Sequence, residues 1–430
     1  MTSSDSSLLG FAKQTALGTP NVTDASFKYL LFNEGGMGPE NRTLPLDPEV
    51  GGGAMLRDVV KVGVLSRGQI AFIPRPDTIG NMLLGALGTV RSDTLLYQQP
   101  LTITPITTGI GTLAQAATLS VVASGSATGD IIIVGTKVGG GAETETLSLN
   151  GTTLVTGVKS FLTVTSVTPP AVSSRTFTLT ANPAAAHTHS FFLGADQFAA
   201  PYYTFRTSPG ALWGEQFQDC RFSALNLGWR GANFVRGEAA MMGGLPAKLS
   251  PATWAAPTKT DGGPQFLAPV SNISVPTGSL LKVISGSLSF GMNVPMDEQW
   301  ITGSYSPDAF DITQRAFQLS LVVKLTDAVL YDKAMYSAAG GSAWAVDMLR
   351  EADIDINLKS AVEIATGIPY SIKVAANGAS GSGANVVWSA QAIALRPGKQ
   401  ITMALSGTFL ADPAGGEPVT VTLVNGTASY

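Results

Sequence analysis

The amino-acid sequence predicts an all-β protein with short helices, and three observations lead to this fold class. Apolar and polar residues alternate in several runs, which is the side-chain period of a strand with one buried face. Glycine accounts for 48 of the 430 residues, and threonine and serine are common in the strand-like runs. Charged residues make up 13% of the chain, against about 25% in an average globular protein. The length allows two or three domains, and the low charge suits a surface largely buried against copies of the same chain.

The clearest alternation lies between residues 284 and 336. Residues 284–294 and residues 317–325 alternate apolar or small with polar side chains, so both runs predict strands. Residues 295–313 form a polar connector between them. Thr326-Asp327 then predicts the N-terminus of a short helix over residues 328–336. The polar residues of these two predicted strands include Ser285, Ser287, Ser289, Gln318 and Ser320.

A long charged loop is predicted near the N-terminus. Residues 1–35 are expected to form a flexible arm followed by a strand, and residues 34–56 are rich in glycine and proline. A loop of this length inside a compact domain is usually functional or disordered, so it is either solvated and mobile or reaches a neighbouring subunit. Its charged residues include Glu40, Arg42, Asp47 and Glu49, and Arg57 follows it directly.

A hairpin and a helix are predicted after this loop. Residues 59–64 and 69–73 predict two strands joined by a turn at residues 66–68. A short helix follows, with Asp77 or Thr78 as its N-cap, an apolar stripe that includes Met82, and Gly88 at its end.

The amino-acid composition of the chain changes between about residue 101 and residue 182. Charges become sparse, and five short runs of threonine, serine, valine and isoleucine recur at a spacing that predicts a small β-sandwich. Asn150-Gly151 predicts a hairpin turn within it. The resulting domain organisation is a main domain over residues 1–100 and 187–430, interrupted by an inserted domain over residues 101–186.

The residues that could carry chemistry favour a structural role. His187 and His189 are the only histidines, and zinc needs three or four ligands, so they predict a strand at the domain junction. Asp353 and Asp355 predict a strand edge with its carboxylates in water. Asp308 and Asp311 lie in one polar loop rather than across a cleft, which disfavours a glycosidase. No cofactor, metal site or enzymatic activity is expected.

Charge, cysteine content and hydropathy narrow the cellular context. The formal net charge of −4 gives no electrostatic attraction to nucleic acid. The single cysteine, Cys220, excludes an intrachain disulfide and is expected to be a buried thiol. Residues 1–7 lack the features of a signal peptide, and no run of about 18 apolar residues predicts a membrane span.

Several segments together resemble the major tail tube proteins of bacteriophages with long non-contractile tails. The N-terminal match is LLGFAKQTALGTP, and the C-terminal half matches in SGSLSFGMNV, QWITGSYSPDAFDITQRAFQLSLVVKLTDAVLYDKAMY and PVTVTLVNGTASY. The central segments PYYTFRTSPG and EQFQDCRFSALNLGWRGANFVRGEAAMMGG are similar to the family's central strands. Within the insert, GTKVGGGAETETLSLNGTTLVTGVKSFLTVTSV resembles the immunoglobulin-like modules found in many phage structural proteins.

The resemblance implies a tail-tube β-sandwich whose inner sheet closes into a barrel when subunits form a ring, usually six-fold. Such rings stack around a tape-measure protein, contact tail-tip and head-completion proteins, and conduct DNA without binding it specifically. The virion tail is the expected location, after assembly in the host cytoplasm. The polar set from Ser285 to Ser320 is expected to face the lumen, and the charged loop to bridge to the next ring.

Two other classes of protein remain open at this point. A virion decoration protein could share the sandwich folds without polymerising. A carbohydrate-binding adhesin would present aromatic clusters on exposed loops, whereas the six tryptophans are scattered along the sequence.

Overall fold

The structure is a computed structural model, and it describes most of the chain. The described residues are 7–47, 55, 58–94, 101–103, 111–137, 140–170, 175–183, 186–194, 196, 198–209, 213–249, 262–274, 282–295, 299–326, 329–336, 343, 349–351, 353–365, 368–377, 386–390, 393, 397–398, 400–411, 417–427 and 430.

Strands dominate the described residues, and all the strand pairs within them are antiparallel. In chain order the elements are β1 (Leu8–Lys13), a 3-10 helix (Asp24–Ser26), β2 (Lys28–Tyr29), β3 (Phe32–Pro45), β4 (Val59–Phe72), α1 (Pro76–Leu87), β5 (Thr89–Thr94), β6 (Leu101–Ile103), β7 (Gly111–Ala123), β8 (Thr128–Thr136), β9 (Ala142–Asn150), β10 (Val155–Thr168), β11 (Phe177–Pro183), β12 (His187–Phe192), β13 (Tyr203–Ser208), β14 (Gly214–Arg230), β15 (Arg236–Gly243), β16 (Pro246–Leu249), β17 (Leu267–Ser274), β18 (Val283–Asn293), β19 (Gln314–Lys324), α2 (Val329–Tyr336), β20 (Leu349–Glu351), β21 (Asp353–Ala365), β22 (Ile368–Asn377), β23 (Val386–Ala390), β24 (Thr402–Phe409) and β25 (Thr420–Asn425). The predicted all-β fold with short helices is confirmed.

A sheet of thirteen strands, the main sheet, is organised by the 17-residue strand β14. The N-terminal half of β14 pairs with β13 and β16, and its C-terminal half pairs with β15 and β18. From β18 the ladder continues through β19, β24 and β23 to β20, and from β15 it continues through β4 to β3. The predicted strands around residues 284–294 and 317–325 are therefore confirmed as β18 and β19. Helix α2 is present, while Asp327 of its predicted cap lies outside the described residues.

A second sheet of six strands packs against the main sheet. Its order is β17-β21-β22-β25-β12-β5, and alternate residues of β21 such as Ile354, Ile356 and Leu358 are buried. These side chains belong to the same hydrophobic core as Leu288, Phe290 and other residues of the main sheet. The two sheets thus form a sandwich around one core.

Helix α1 lies inside this sandwich, in contact with strands of both sheets. Ten of its twelve residues are buried, because it packs on β14 from one side and on β12 and β25 from the other. The helix ends at Gly88 as predicted, but neither predicted N-cap is correct. Pro76 occupies the first turn, where its fixed φ suits a helix start, and Arg75 is the N-cap without a side-chain hydrogen bond.

The hairpin predicted within residues 59–73 is wrong, because these residues form the single strand β4. Residues 66–68 pair with β3 on one side and with β15 on the other, so they cannot turn. Gly68 is needed for close packing instead, since a Cβ there would lie 2.6 Å from the carbonyl oxygen of Gly36. The N-terminal segment predicted to be flexible is likewise not free over its whole length, since β1 pairs with β2 and β13.

Residues 101–183 contribute a third sheet with its own core. Its order is β6-β11-β7-β10-β8-β9, and its buried side chains, among them Leu119, Ile133 and Phe161, form a separate cluster. Strand β10 has three register shifts and changes partner along its length, from β7 to β8, which lets a continuous sheet fold over onto itself. Asn150-Gly151 does form a turn, with Gly151 at φ 63°. The strands it joins are not paired with each other, because β8 lies between β9 and β10.

Candidate assembly surfaces

The five polar residues predicted to face the lumen lie together on one face of the main sheet. Ser287 is opposite Ser320 and Ser289 is opposite Gln318 in the β18–β19 register, and Ser285 continues the same face. All five are exposed or half-buried, whereas the residues between them, such as Leu288 and Leu319, are buried in the sandwich core. Alternation along each strand therefore separates a solvent-exposed face from a buried face, as the sequence predicts.

The same polar face extends over the neighbouring strands β14, β15 and β24, which the alternation pattern of β18 and β19 does not reveal. Two rows of directly paired residues cross five strands. One row is Glu238, Asn226, Ser289, Gln318 and Thr408, and the other is Arg236, Gly228, Ser287, Ser320 and Ser406. Eight of these ten residues, together with Leu227, line a shallow depression of about 430 Å³. The face is rich in hydroxyl groups, and its two charged members have opposite signs.

The first part of the segment predicted as a long loop forms one strand of a β-hairpin. Residues 32–45 are strand β3, which pairs with β4 from Phe32–Phe72 to Pro45–Val59. The prediction of a loop over residues 34–56 is therefore wrong for its first part. Glycine and proline suggested irregular backbone, but β3 is an edge strand, where proline's missing N–H can face away from the ladder.

The charged residues of this segment lie along the hairpin. Glu40 and Arg42 are exposed on β3, and a Glu40 carboxylate oxygen lies 3.6 Å from the Arg67 guanidinium of β4. Asp47 is exposed just beyond the strand. Glu49 and Arg57 lie outside the described residues.

The outer part of the hairpin, called the arm below and made of residues 42–47 and 58–62, is apolar on one face. Leu44 pairs with Val60, and the Leu46 amide donates to the Asp58 carbonyl, so these positions share a face. Leu44 is 62% exposed, Val60 53% and Leu46 44%. The charges of this segment are evident from the sequence, whereas the exposure of its aliphatic side chains is evident only from the structure.

The main sheet branches at β14 and ends in several edge strands. Within the described part of the chain, β3 pairs with β4 alone and β20 pairs with β23 alone, and β2 and β16 likewise have one partner each. The edges considered below are those of β3 and β20. The described sheets of the single chain do not close into a barrel. Both edges therefore present backbone hydrogen-bonding groups that another strand can use.

The two histidines lie on strand β12 as predicted, and His189 is fully buried in a hydrogen-bond network. Its Nε2 lies 2.8 Å from the Thr427 carbonyl and 3.1 Å from Asn425 Oδ1, and its Nδ1 lies 2.8 Å from Ser92 Oγ. Two acceptors at Nε2 place the proton of the neutral ring there. Burial lowers the pKa of His189, so the neutral form is favoured. Among the described residues, no group of three ligating side chains could hold a metal ion.

Two of the acidic residues considered as candidates for chemistry, Asp311 and Asp355, form ion pairs or hydrogen bonds with neighbouring side chains. Asp311 accepts a hydrogen bond from the Tyr202 hydroxyl at 3.3 Å and lies 3.6 Å from the Arg221 guanidinium. Asp355 pairs with Lys373 at 3.0 Å. The prediction that Asp353 and Asp355 mark a strand edge is wrong, because β21 lies between β17 and β22. Cys220 is buried as predicted, and burial raises the pKa of its thiol.

The fold defines an all-β sandwich protein with two short helices. Over residues 4–423 the chain matches the family model described as phage tail tube protein, and it therefore belongs to the phage tail tube family. It is a structural, non-enzymatic protein of the virion tail whose family self-assembles into a tube. A comparison with curated proteins gave no match. Neither helix in the described part of the chain has the length and apolar composition of a membrane span.

The His189 network predicts acid sensitivity. Because burial lowers the pKa of His189 in the folded state, the unfolded chain takes up this proton first as the pH falls. The contribution of the neutral ring is complete above the unfolded pKa of about 6.5 and is lost as the pH falls through the lower folded pKa. We expect His189→Gln to reduce the decline of the melting temperature between neutral and mildly acidic pH. Parallel pH profiles for the variant and the parent chain would contradict this assignment.

Proposed function

We propose that the chain forms rings, six-fold by resemblance to its family, that stack into the tube through which DNA leaves the virion. The observation that carries this proposal is the main sheet, which has one buried face, one polar face and unpaired edges that include those of β3 and β20. Pairing of the β3 edge of one subunit with the β20 edge of the next would continue the sheet around a ring and satisfy both edges. The host cytoplasm is the site of assembly in this proposal.

The polar face suits the lumen of such a ring. Its serine, threonine, asparagine and glutamine side chains offer hydrogen bonds to any passing chain but no anchoring charge, and Arg236 is accompanied by Glu238. A wall rich in unpaired lysine or arginine would hold phosphates at every ring. We infer that DNA and, during assembly, the tape-measure protein pass this face without specific binding. Tail-tip and head-completion proteins are the proposed partners at the ends of the tube.

Electron microscopy of the purified chain at high concentration tests this proposal directly. We expect negative-stain images to show stacked rings or hollow tubes with even striations. Discrete dimers or trimers that never stack would contradict ring formation, and they would favour a decoration or adhesin protein instead.

The arm is the proposed contact between successive rings. The aliphatic side chains of this face are 44–62% exposed in the subunit. Packing them on another copy would stabilise the contact by roughly 25 cal/mol per Å² of apolar surface buried. The charged residues predicted for this contact, Glu40, Arg42, Asp47, Glu49 and Arg57, lie along the hairpin or next to it in the sequence. We infer that the aliphatic side chains supply most of the affinity and that the charges select the register.

Polar substitutions on the arm should separate stacking from ring formation. In Leu44→Ser with Val60→Ser, the apolar face is lost without any change to the sandwich core, so we expect rings without long tubes. The matched control is Thr43→Ser with Lys61→Ser, which changes the opposite face of the same two strands. Long tubes from the Leu44 and Val60 variant would exclude the arm as the stacking contact.

We propose that residues 101–186 are an inserted domain that projects from the wall of the tube. Two observations support this. The third sheet has a hydrophobic core of its own, and the strands on either side of the insert, β5 and β12, pair with each other so that Thr94 is opposite His187. The chain thus leaves and re-enters the second sheet at neighbouring points, as an inserted domain requires. Its immunoglobulin-like character and any affinity for surface glycans remain part of this proposal.

Removal of the insert tests this organisation. Replacing residues 95–186 with a two-residue Asn-Gly turn should join β5 and β12 as a hairpin and leave tube assembly intact. The measurements are the circular dichroism spectrum, the melting temperature and negative-stain images, each compared with the full chain. An unfolded product would show that the segment belongs to the fold of the main domain.

A further inference from the structure

We propose that Trp300 is the positioning residue that fixes the direction of the arm. The described part of the loop between β18 and β19, residues 299–313, would act as a strut, and its Trp300 indole would hold the hairpin where the sheet no longer supports it. This inference rests on the proposed role of the arm in stacking and adds the element that orients it.

The hairpin loses its sheet support shortly before the arm begins. Strand β15 pairs with β4 only between Ser66–Gly243 and Phe72–Gly237. From residue 65 to residue 59, β4 has β3 as its one ladder partner among the described strands. The β3–β4 ladder also shifts register there, since Arg42 is opposite Gly63 but Thr43 is opposite Lys61, which leaves Val62 as an extra residue. Bulges of this kind bend a hairpin and increase its twist.

The Trp300 ring lies at this bulge. It covers Gly63 so closely that a Cβ added to Gly63 would overlap the ring. On the other strand, the Arg42 guanidinium lies 5.4 Å from the ring centroid, a distance at which a cation is attracted to an aromatic face. Next to Gly63, the Val64 amide donates to the Tyr305 carbonyl at 2.8 Å. One loop thus contacts both strands of the hairpin at the position where it bends.

The described part of this loop, residues 299–313, is held together by internal hydrogen bonds. The Asp308 amide donates to the Gln299 carbonyl at 3.0 Å, and the Gln299 side-chain amide donates to the Asp311 carbonyl at 3.1 Å. Phe310 and Ile312 are buried in the common core of the two sheets, which fixes the C-terminal end of the loop. A displacement of the arm would therefore have to displace Trp300 against a loop anchored in the sandwich.

Burial along β4 agrees with this role. Residues 59–62 are exposed, whereas Gly63 and Val64 are buried immediately after them. Gly63 has no side chain that could shield its backbone from solvent, and here the Trp300 indole ring covers it. The arm extends from this covered point, so its direction relative to the sandwich depends on the contact.

Hydrogen exchange and electron microscopy together test the proposal. In Trp300→Ala, we expect amide exchange to rise by about tenfold or more at Val64 and in the arm, and stacking to fail while rings remain. Trp300→Phe should restore part of both, because a phenyl ring still covers Gly63. The matched control is Trp213→Ala, which removes a tryptophan that is 40% exposed. Melting temperatures identify any variant that has lost its fold.

A second variant pair separates the ring contact from a general loss of packing. Gly63→Ala should displace the indole ring and raise exchange in the arm as Trp300→Ala does. If both act through the same contact, the double variant should exchange no faster than either single variant, since non-additivity is the mark of residues in contact. Additive effects on exchange would contradict the proposed contact.

The outcomes distinguish this inference from the function on which it rests. Unchanged exchange in the arm of a folded Trp300→Ala variant would overturn the role of Trp300 whatever the tubes look like. Faster exchange with tubes of normal length would support Trp300 as the residue that orders the arm and would show that stacking does not need the arm.

Discussion

The structure depends on one continuous antiparallel ladder that passes through β14. A strand of 17 residues is long enough to pair with β13 and β16 at its start and with β15 and β18 at its end. The two parts of the main sheet are therefore joined by covalent backbone as well as by hydrogen bonds. The sandwich core, helix α1 and the polar face all take their positions from this strand. Because a β-strand alternates its side chains, burial of Leu225 and Leu227 in the core places Asn226 and Gly228 on the opposite face.

Low charge is consistent with the way this face is built. Each hydroxyl-bearing residue tolerates both water and a neighbouring chain, and it costs less to desolvate than a lysine or glutamate does. In the proposed ring, the edges, the polar face and the arm would all meet other molecules, which would leave few positions for isolated charges. Among the described residues, the buried Arg206 shows how such a charge is accommodated, since it contacts Gln216, Asp24 and the Phe27 ring. The composition follows from the number of surfaces that the fold presents for contact.

Features that depend on local periodicity could be predicted from the sequence. Features that depend on pairing between residues far apart in the chain could not. Alternation identified β18, β19 and their polar residues, because one face of each strand is buried. It could not assign Gly68 to a strand interior, since a glycine beside serine and arginine is equally typical of a turn. Only the approach of Gly36 on the adjacent strand shows why glycine is required there. Trp300 gave no signal either, because its contact with Gly63 joins residues 237 positions apart.

The exposed aliphatic side chains of the arm favour aggregation, and charged residues next to them oppose it. An exposed hairpin with aliphatic side chains can pair with other chains before assembly. Here Lys61 lies between Val60 and Val62, and Asp47 and Asp58 flank the end of the paired region. Charges next to an apolar strand oppose indiscriminate stacking of sheets, since each would have to be desolvated. A partner that leaves these charges in water can still bury Leu44 and Val60. The arrangement therefore favours a single geometry of association over aggregation, which a tube with regular spacing requires.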